Sequence, residues 1–333
     1  MMATKLVMAS DLFLDLQLYR IPDWALDKLR VSFPFLEIVE VNTPRTAGEP
    51  LPEAAEVYWG NRVTPEIIAG LPNLRWLHFG SVGIDKALVP EVKERGIVVT
   101  NSAGTVAPAM AASAIAFIAG LARGFHHAWS DRRSGTFGRP SFDAHFETLG
   151  DLDGQSVLIV GYGDVGSRLG KGCRALGMHV SGIRRGSATP DGDVEEFFEL
   201  ARLAEAVAGK DFVVDLLPLT SQTRGVFDAA VIGRMERSAY FVNVGRGETV
   251  DQEALVSALR EGRIAGAGLD VYERFPLPPD SPLLELDNVI LTPHVAGLSR
   301  SYWPRAYELV HANIERYMAN EPLVNTRDLS REY

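Results

Sequence analysis

The stretch that most limits what this chain can fold into is VLIVGYGDVG, Val157 to Gly166. An apolar run passes without a break into glycines spaced G-x-G-x-x-G, and a helical pattern follows. That order suits a buried strand, a tight turn and a helix laid close on the strand. Gly161 permits the turn, Gly163 lets the backbone approach a pyrophosphate, and Gly166 lets the helix pack closely. The first helical amides, beginning at Asp164 and Val165, then face the phosphates. A glycine-rich βα turn of some other α/β protein is the competing account, so the rest of the chain has to decide.

At 333 residues the chain is long enough for two domains, and 46% hydrophobic residues excludes the disordered and fibrous classes. A formal net charge of −10, with no basic run beyond pairs such as Arg132-Arg133, argues against nucleic acid as a partner. Cys173 is the single cysteine, so no intrachain disulfide forms, and no cluster has metal-ligand spacing. The start, MMATKLVMASDLF, lacks a basic region followed by a long apolar core and cleavage site, which predicts a cytoplasmic protein. Asn101 to Ala122 is uncharged over about twenty residues, a membrane-spanning length. Thr105, Pro108, Ser113 and the alanines instead predict a helix packed all round by protein, so no membrane is expected.

The first hundred residues alternate apolar runs (KLVMAS, LEIVEVN, AEVYWG, LRWLHFG, IVVTN) with helical patterns, as in a parallel sheet covered on both faces. Arg132 to Asp153 reads as a loop. A second βα series runs through VLIVG, HVSGIRR, FVVDLLP, AYFVNVG, GAGLDVY and NVILTPH. The tail from Ser299 reads as an amphipathic helix that returns to the first domain. The expected division is 1–102 plus 296–333 as a substrate domain and 103–295 as a dinucleotide-binding domain, with a cleft between them.

Four segments now resemble, in order, the D-isomer-specific 2-hydroxyacid dehydrogenase family. They are HFGSVGIDKALVPEVKERGIVVTN, VLIVGYGDVG, FVNVGRGETVDQEALVSALREGRIAGAGLDVYE and NVILTPHVAG. The resemblance implies an α/β fold of two Rossmann-like domains, a flavodoxin-like substrate domain and a doubly wound parallel-sheet dinucleotide-binding domain. It implies hydride transfer between a nicotinamide cofactor and a 2-keto or 2-hydroxy acid. Arg246 matches the substrate arginine, whose planar guanidinium binds a carboxylate by two parallel bonds. His294 matches the acid/base. Backbone amides of Ser81, Val82 and Gly83 match the second half of the carboxylate site. Asp270 matches an aspartate near the nicotinamide, although it could equally cap the loop after its strand. Leu217, Pro218 and Thr223 resemble the loop over the adenosine half, and Val244 precedes the arginine near the nicotinamide. The remaining histidines read as packing or surface groups, with His78 able to approach the cleft. Val106 to Ala122 resembles the segment through which family members pair, which implies a homodimer.

Two positions depart from the family pattern. The acidic residue expected about twenty positions after the first glycine is replaced by Arg184, and Arg184, Arg185 and Ser187 would favour a 2′-phosphate. NADP(H) is therefore the expected cofactor, with NAD as the alternative. The family's glutamate partner of the histidine is replaced by Phe275. An aromatic ring in place of a carboxylate disfavours the imidazolium, so His294 is expected to titrate lower than in relatives. Alternatively Glu273, or Asp143 in the SFDAHF segment, reaches the histidine from another direction. Glyoxylate and hydroxypyruvate suit the resemblance best, while Phe275 leaves a bulkier or aromatic keto acid open. The alternative function is a catalytically diverged, nucleotide-dependent interaction or sensor protein, since corepressors of the C-terminal-binding-protein type resemble the same family.

Overall fold

Apolar runs too continuous to leave one face wet require sheets covered on both sides, and the computed structural model contains two of them. It describes residues 5–12, 20–41, 50–84, 89–186 and 192–331. The chain divides into one unit of Met1–Val106 with Leu298–Tyr333 and a second of Ala107–Gly297.

In the first unit β1 (Leu6–Asp11), β2 (Leu36–Glu40), β3 (Val57–Gly60), β4 (Trp76–Phe79) and β5 (Val98–Asn101) form a parallel sheet. Its order, β2-β1-β3-β4-β5, is that of flavodoxin-like folds. Alternate residues point to opposite faces. Met8, Trp59 and Trp76 meet α1 (Asp23–Ser32) and the last helix, α11 (Tyr302–Met318), while Ala9, Tyr58 and Leu77 meet α2 (Pro65–Ala69) and α3 (Pro90–Glu94). The segment before Val106 stays with this unit because the C-terminal region holds it. The Asn325 amide donates to the Ala103 carbonyl at 2.9 Å, and Arg305 to that of Thr105 at 3.0 Å.

In the second unit the strands are β6 (Ser156–Val160), β7 (His179–Ile183), β8 (Glu196–Phe198), β9 (Phe212–Asp215), β10 (Tyr240–Asn243), β11 (Gly266–Leu269) and β12 (Val289–Leu291). They form a parallel sheet in the order β12-β11-β10-β9-β6-β7-β8, a doubly wound arrangement that reverses direction at β6 and β9. Val157, Ile159 and Val214 face α4 (Ala107–Ala122) and α7 (Asp164–Ala175). Leu158, Val160 and Val213 face α8 (Leu203–Ala206), α9 (Ala229–Ile232) and α10 (Gln252–Arg260). Helix α4 buries Ala111, Ala114, Phe117, Ile118 and Leu121 and exposes Ala112 and Ala116. Among the described residues no single helix is long and apolar enough to cross a membrane.

The stretch read as a loop from Arg132 to Asp153 differs. It holds the end of α5 (Phe125–Ser134), then α6 (Arg139–Asp143) and a 3-10 turn at Phe146–Thr148. Its glycine and proline are helix boundaries: Gly135 ends α5 at φ +77, and Pro140 lies in the first turn of α6. Strand β8 was also not read from the sequence, since its three residues lie in the acidic stretch VEEFFE, which lacks an apolar run, and pair only with β7.

Candidate active site

Because the strands of the second sheet all run the same way, their carboxyl ends make one edge, and the loops there carry most of the residues singled out above. After β6, Gly161 takes φ +100, and a Cβ on it would lie 2.9 Å from the Leu216 carbonyl carbon. A Cβ on Gly166 would lie 2.8 Å from the Gly161 oxygen, so that glycine sets how closely α7 packs. Gly163 is different, since its Cβ would meet nothing within 4 Å. The protein leaves that space clear at the first turn of a twelve-residue helix, which fits a dinucleotide pyrophosphate approached by backbone amides. Asp164 in that turn pairs with Arg168 at 3.0 Å, and Val165 packs against the core. After β7, Arg184 and Arg185 are exposed, with the Arg184 guanidinium 5.8 Å from the centre of the Phe197 ring. Ser187 lies outside the described residues.

After β9 the chain turns on Asp215, a carboxyl absent from the sequence reading. It is fully buried, accepts the Leu217 amide at 2.8 Å and meets the Thr249 hydroxyl. Burial pushes its pKa up to about 7. The signal was present as an acidic residue inside the apolar run FVVDLLP. Leu217 is buried, and Thr223 closes its loop on itself, its hydroxyl donating to the Pro218 carbonyl at 2.6 Å.

After β10, the buried Val244 donates its amide to the Asp215 carbonyl at 3.3 Å. Arg246 follows, half-buried, with Nη1 donating to the Gly245 carbonyl at 2.9 Å. Its own carbonyl accepts from the Asn243 amide at 3.0 Å and from the Thr249 hydroxyl at 2.6 Å. A Cβ on Gly247 would stand 1.9 Å from the Tyr272 carbonyl carbon, so the arginine loop touches the segment after β11 backbone to backbone.

That segment begins with Asp270, whose buried carboxylate accepts the Thr292 hydroxyl at 2.6 Å and the amides of Val295 and Ala296 at 2.8 and 2.9 Å. Its carbonyl accepts the His294 amide at 2.9 Å. Asp270 thus grips the turn that carries His294 from both sides, the loop-capping role that the sequence offered equally with a place near the nicotinamide. The grip matters because His294 has φ +56, a conformation costing a non-glycine residue about 1 kcal/mol or more. Tyr272 adds a bond from its hydroxyl to the Thr292 carbonyl at 2.8 Å. The exposed Phe275 ring stands perpendicular to the His294 ring, with centroids 5.4 Å apart. Glu273 is exposed nearby, its amide bonded to the Gln252 side chain. Asp143 is placed differently. Its segment packs at the amino end of the sheet, where the Thr148 carbonyl meets the hydroxyl of Tyr240, the first residue of β10.

In the first unit, the Ser81 carbonyl accepts the Ser102 amide at 3.0 Å and the Asn101 side chain donates to the Val82 carbonyl. Those bonds turn the carbonyls of the Ser81–Gly83 loop back toward β5. His78, which the sequence left able to approach a cleft, is fully buried beneath this loop. Trp76 can only donate, so Thr100 Oγ1 accepts from it at 2.8 Å and passes its own hydrogen to His78 Nδ1 at 2.7 Å. His78 Nε2 then donates to Ser102 Oγ at 3.3 Å, and that hydroxyl to the Phe79 carbonyl. Burial lowers the His78 pKa to about 3, keeping this neutral tautomer.

Comparison with known proteins decides what the edge belongs to. The family described as D-isomer specific 2-hydroxyacid dehydrogenase, NAD binding domain, matches residues 115–296. A glyoxylate reductase of Korarchaeum cryptofilum is 36% identical over 262 residues, covering 78% of this chain and 77% of its own. The chain belongs to the D-isomer specific 2-hydroxyacid dehydrogenase family. As a member of that family it is an NAD(P)-dependent oxidoreductase that moves a hydride between NAD(P)H and a 2-keto acid. A glyoxylate/hydroxypyruvate reductase of Arabidopsis thaliana is 32% identical, over 78% of this chain and 80% of its own. A D-isomer specific 2-hydroxyacid dehydrogenase of Xanthobacter autotrophicus Py2, solved with NADPH and MES, superposes with a TM-score of 0.82. It is 29% identical and covers 99% of this chain and 100% of its own.

Proposed function

We propose that this dehydrogenase reduces a 2-keto acid to the 2-hydroxy acid with NADPH, Arg246 holding the carboxylate and His294 delivering the proton. The observation that carries the reading is the joining of the Arg246 and His294 loops, through Gly247, Tyr272 and Asp270, on the sheet edge that holds the glycine turn. Arg246 binds the carboxylate by two parallel bonds and draws electron density from the adjacent keto group. The protonated His294 imidazole donates to the oxygen as it gains charge. When bound, the nicotinamide supplies the hydride. The amides of Ser81, Val82 and Gly83 are assigned the second carboxylate contact on the family resemblance.

For the cofactor, Gly161, Gly163, Asp164, Val165 and Gly166 are assigned the pyrophosphate, and Leu217, Pro218 and Thr223 the adenosine side. Val244 and Asp270 are assigned the nicotinamide side. Arg184 and Arg185, with Ser187, are assigned a 2′-phosphate, which supports NADPH over NADH. The Xanthobacter relative holds NADPH, and the reductases named above make glyoxylate and hydroxypyruvate the first acids to try. A homodimer through α4 and the segment after it is supported by the exposed Ala112 and Ala116 and by Phe125, Trp129, Phe137 and Phe146, all exposed. Light scattering at a monomer mass overturns it. A cytoplasmic setting is supported by the lone Cys173, which is buried, its thiol pushed up to about 12.

The test is cofactor oxidation followed by absorbance, with NADPH and NADH in parallel, on the native chain and an R184A/R185A variant. Turnover with NADPH preferred, and that preference cut about 10- to 100-fold in the variant, supports the assignment. Tight NADPH binding with no turnover on any 2-keto acid makes the nucleotide-dependent interaction protein the better reading.

A further inference from the structure

Resting on the reductase reading above, we infer that Phe275 sets the substrate class, and that the preferred acid carries a branched or aromatic apolar side chain. Six large aromatic side chains are exposed among the described residues. Phe125, Trp129, Phe137 and Phe146 fall in α5 and the segment after it, and Trp24 lies edge-on to Tyr307 at 5.9 Å. Phe275, 57% exposed, is the one at the edge that bears Arg246 and His294.

Its placement beside the histidine is built. Three residues earlier, Tyr272 is buried, bonded to the Thr292 carbonyl and pressed against Gly247. Asp270 holds the His294 turn on the same strand end. The phenyl and imidazole rings are therefore carried on one frame, perpendicular and 5.4 Å apart. A keto oxygen that takes a proton from His294 lies about 3 Å from a ring nitrogen, which brings a substituent on the keto carbon within reach of the phenyl ring.

The chemistry of that neighbour discriminates among acids. An apolar substituent on the keto carbon covers phenyl surface otherwise left in water. The hydrogen of glyoxylate covers none. The hydroxymethyl group of hydroxypyruvate sets a hydroxyl against a face that offers it no strong acceptor. One methylene in an apolar site is worth about 10- to 200-fold in kcat/KM, so a four-carbon or benzyl side chain supports at least about a tenfold preference.

The experiment measures kcat and KM with saturating NADPH for glyoxylate, hydroxypyruvate, pyruvate, 4-methyl-2-oxopentanoate and phenylpyruvate. It compares the native chain with F275A and F275L, and NADPH fluorescence and the thermal midpoint report on folding. The native enzyme is expected to favour the last two acids over glyoxylate by at least about tenfold in kcat/KM. F275A is expected to erase most of that ratio, chiefly through KM, while F275L retains most of it. Glyoxylate or hydroxypyruvate as the best native substrate overturns the inference, as does a ratio unchanged in F275A, and either leaves the reductase reading standing. No reduction of any acid overturns the reductase reading and this inference with it.

Discussion

The ends of β4 and β12 each bring a histidine to a loop, and the surroundings give the two rings opposite work. His78 is enclosed on every side, with Thr100 and Ser102 engaging both ring nitrogens and burial holding it neutral. His294 is exposed, sits at φ +56, and is held through its own backbone and the Asp270 carboxylate. One ring is a strut beneath a loop; the other is presented to solvent by a strained turn. Imidazole chemistry is the same in both, so burial and the identity of the bonded atoms are what keep His78 neutral.

The largest effect that tests this contrast is expected from H294Q. Loss of the proton donor should lower kcat/KM about a thousandfold while the thermal midpoint stays nearly unchanged, because an exposed ring contributes little to stability. A large loss of stability in H294Q would end the contrast. H78A should do the reverse: it leaves a cavity and takes one hydrogen-bond partner from each of two buried hydroxyls, a loss of about 3 kcal/mol read by denaturant unfolding. The pH dependence of unfolding sharpens the point. The unfolded chain binds a proton at this position below about pH 6.5, whereas the folded chain excludes it down to about 3. His78 therefore makes the folded state lose stability as pH falls from about 6.5 toward 3, and H78A should lessen that slope by one proton. His126 and His127, with pKa values lowered to about 3 and 4 by burial, keep part of the slope in the variant.

Where these histidines would act was unequally legible in the sequence. The edge of the second sheet was readable because apolar runs mark strands, glycine spacing marks the turn, and the loops after successive parallel strands must share one edge. His294 and Arg246 came from the resemblance, and Phe275 from its failure to match. The fate of His78 was not readable, since Thr100 lies 22 residues away and only the parallel register of β4 and β5 sets the two side by side. Asp215 was missed for a similar reason. Its partner Thr249 is 34 residues distant, and without that contact an acid in an apolar run gives no sign of what it holds. The helices after α4 were missed because glycine and proline mark helix ends as well as loops.

An intermediate effect is expected at Asp270, the residue that makes His294 different from His78. D270N keeps the size of the side chain but gives up either the oxygen that accepts the Thr292 hydroxyl and the Val295 amide or the one that accepts the Ala296 amide, so the turn loses part of its grip. The expected result is a fall in kcat of about 10- to 100-fold, with the pH limb assigned to His294 displaced, while NADPH affinity changes less. If NADPH binding falls as far as kcat does, Asp270 serves the nicotinamide directly and its hold on the turn is secondary.

The smallest effect tests the strut from its weaker end. S102A removes the acceptor for His78 Nε2, a bond already long at 3.3 Å, and leaves the Ser102 amide that holds the Ser81 carbonyl in place. One buried N–H without its partner costs about 1 kcal/mol, much less than loss of the whole ring. If the relay serves the Ser81–Gly83 loop, KM for the keto acid should rise about two- to fivefold with kcat held, because a loosened loop weakens ground-state and transition-state binding alike. An S102A enzyme less stable by that amount but with native KM would make His78 a core group with no hold on the loop, and the contrast would then reduce to burial alone.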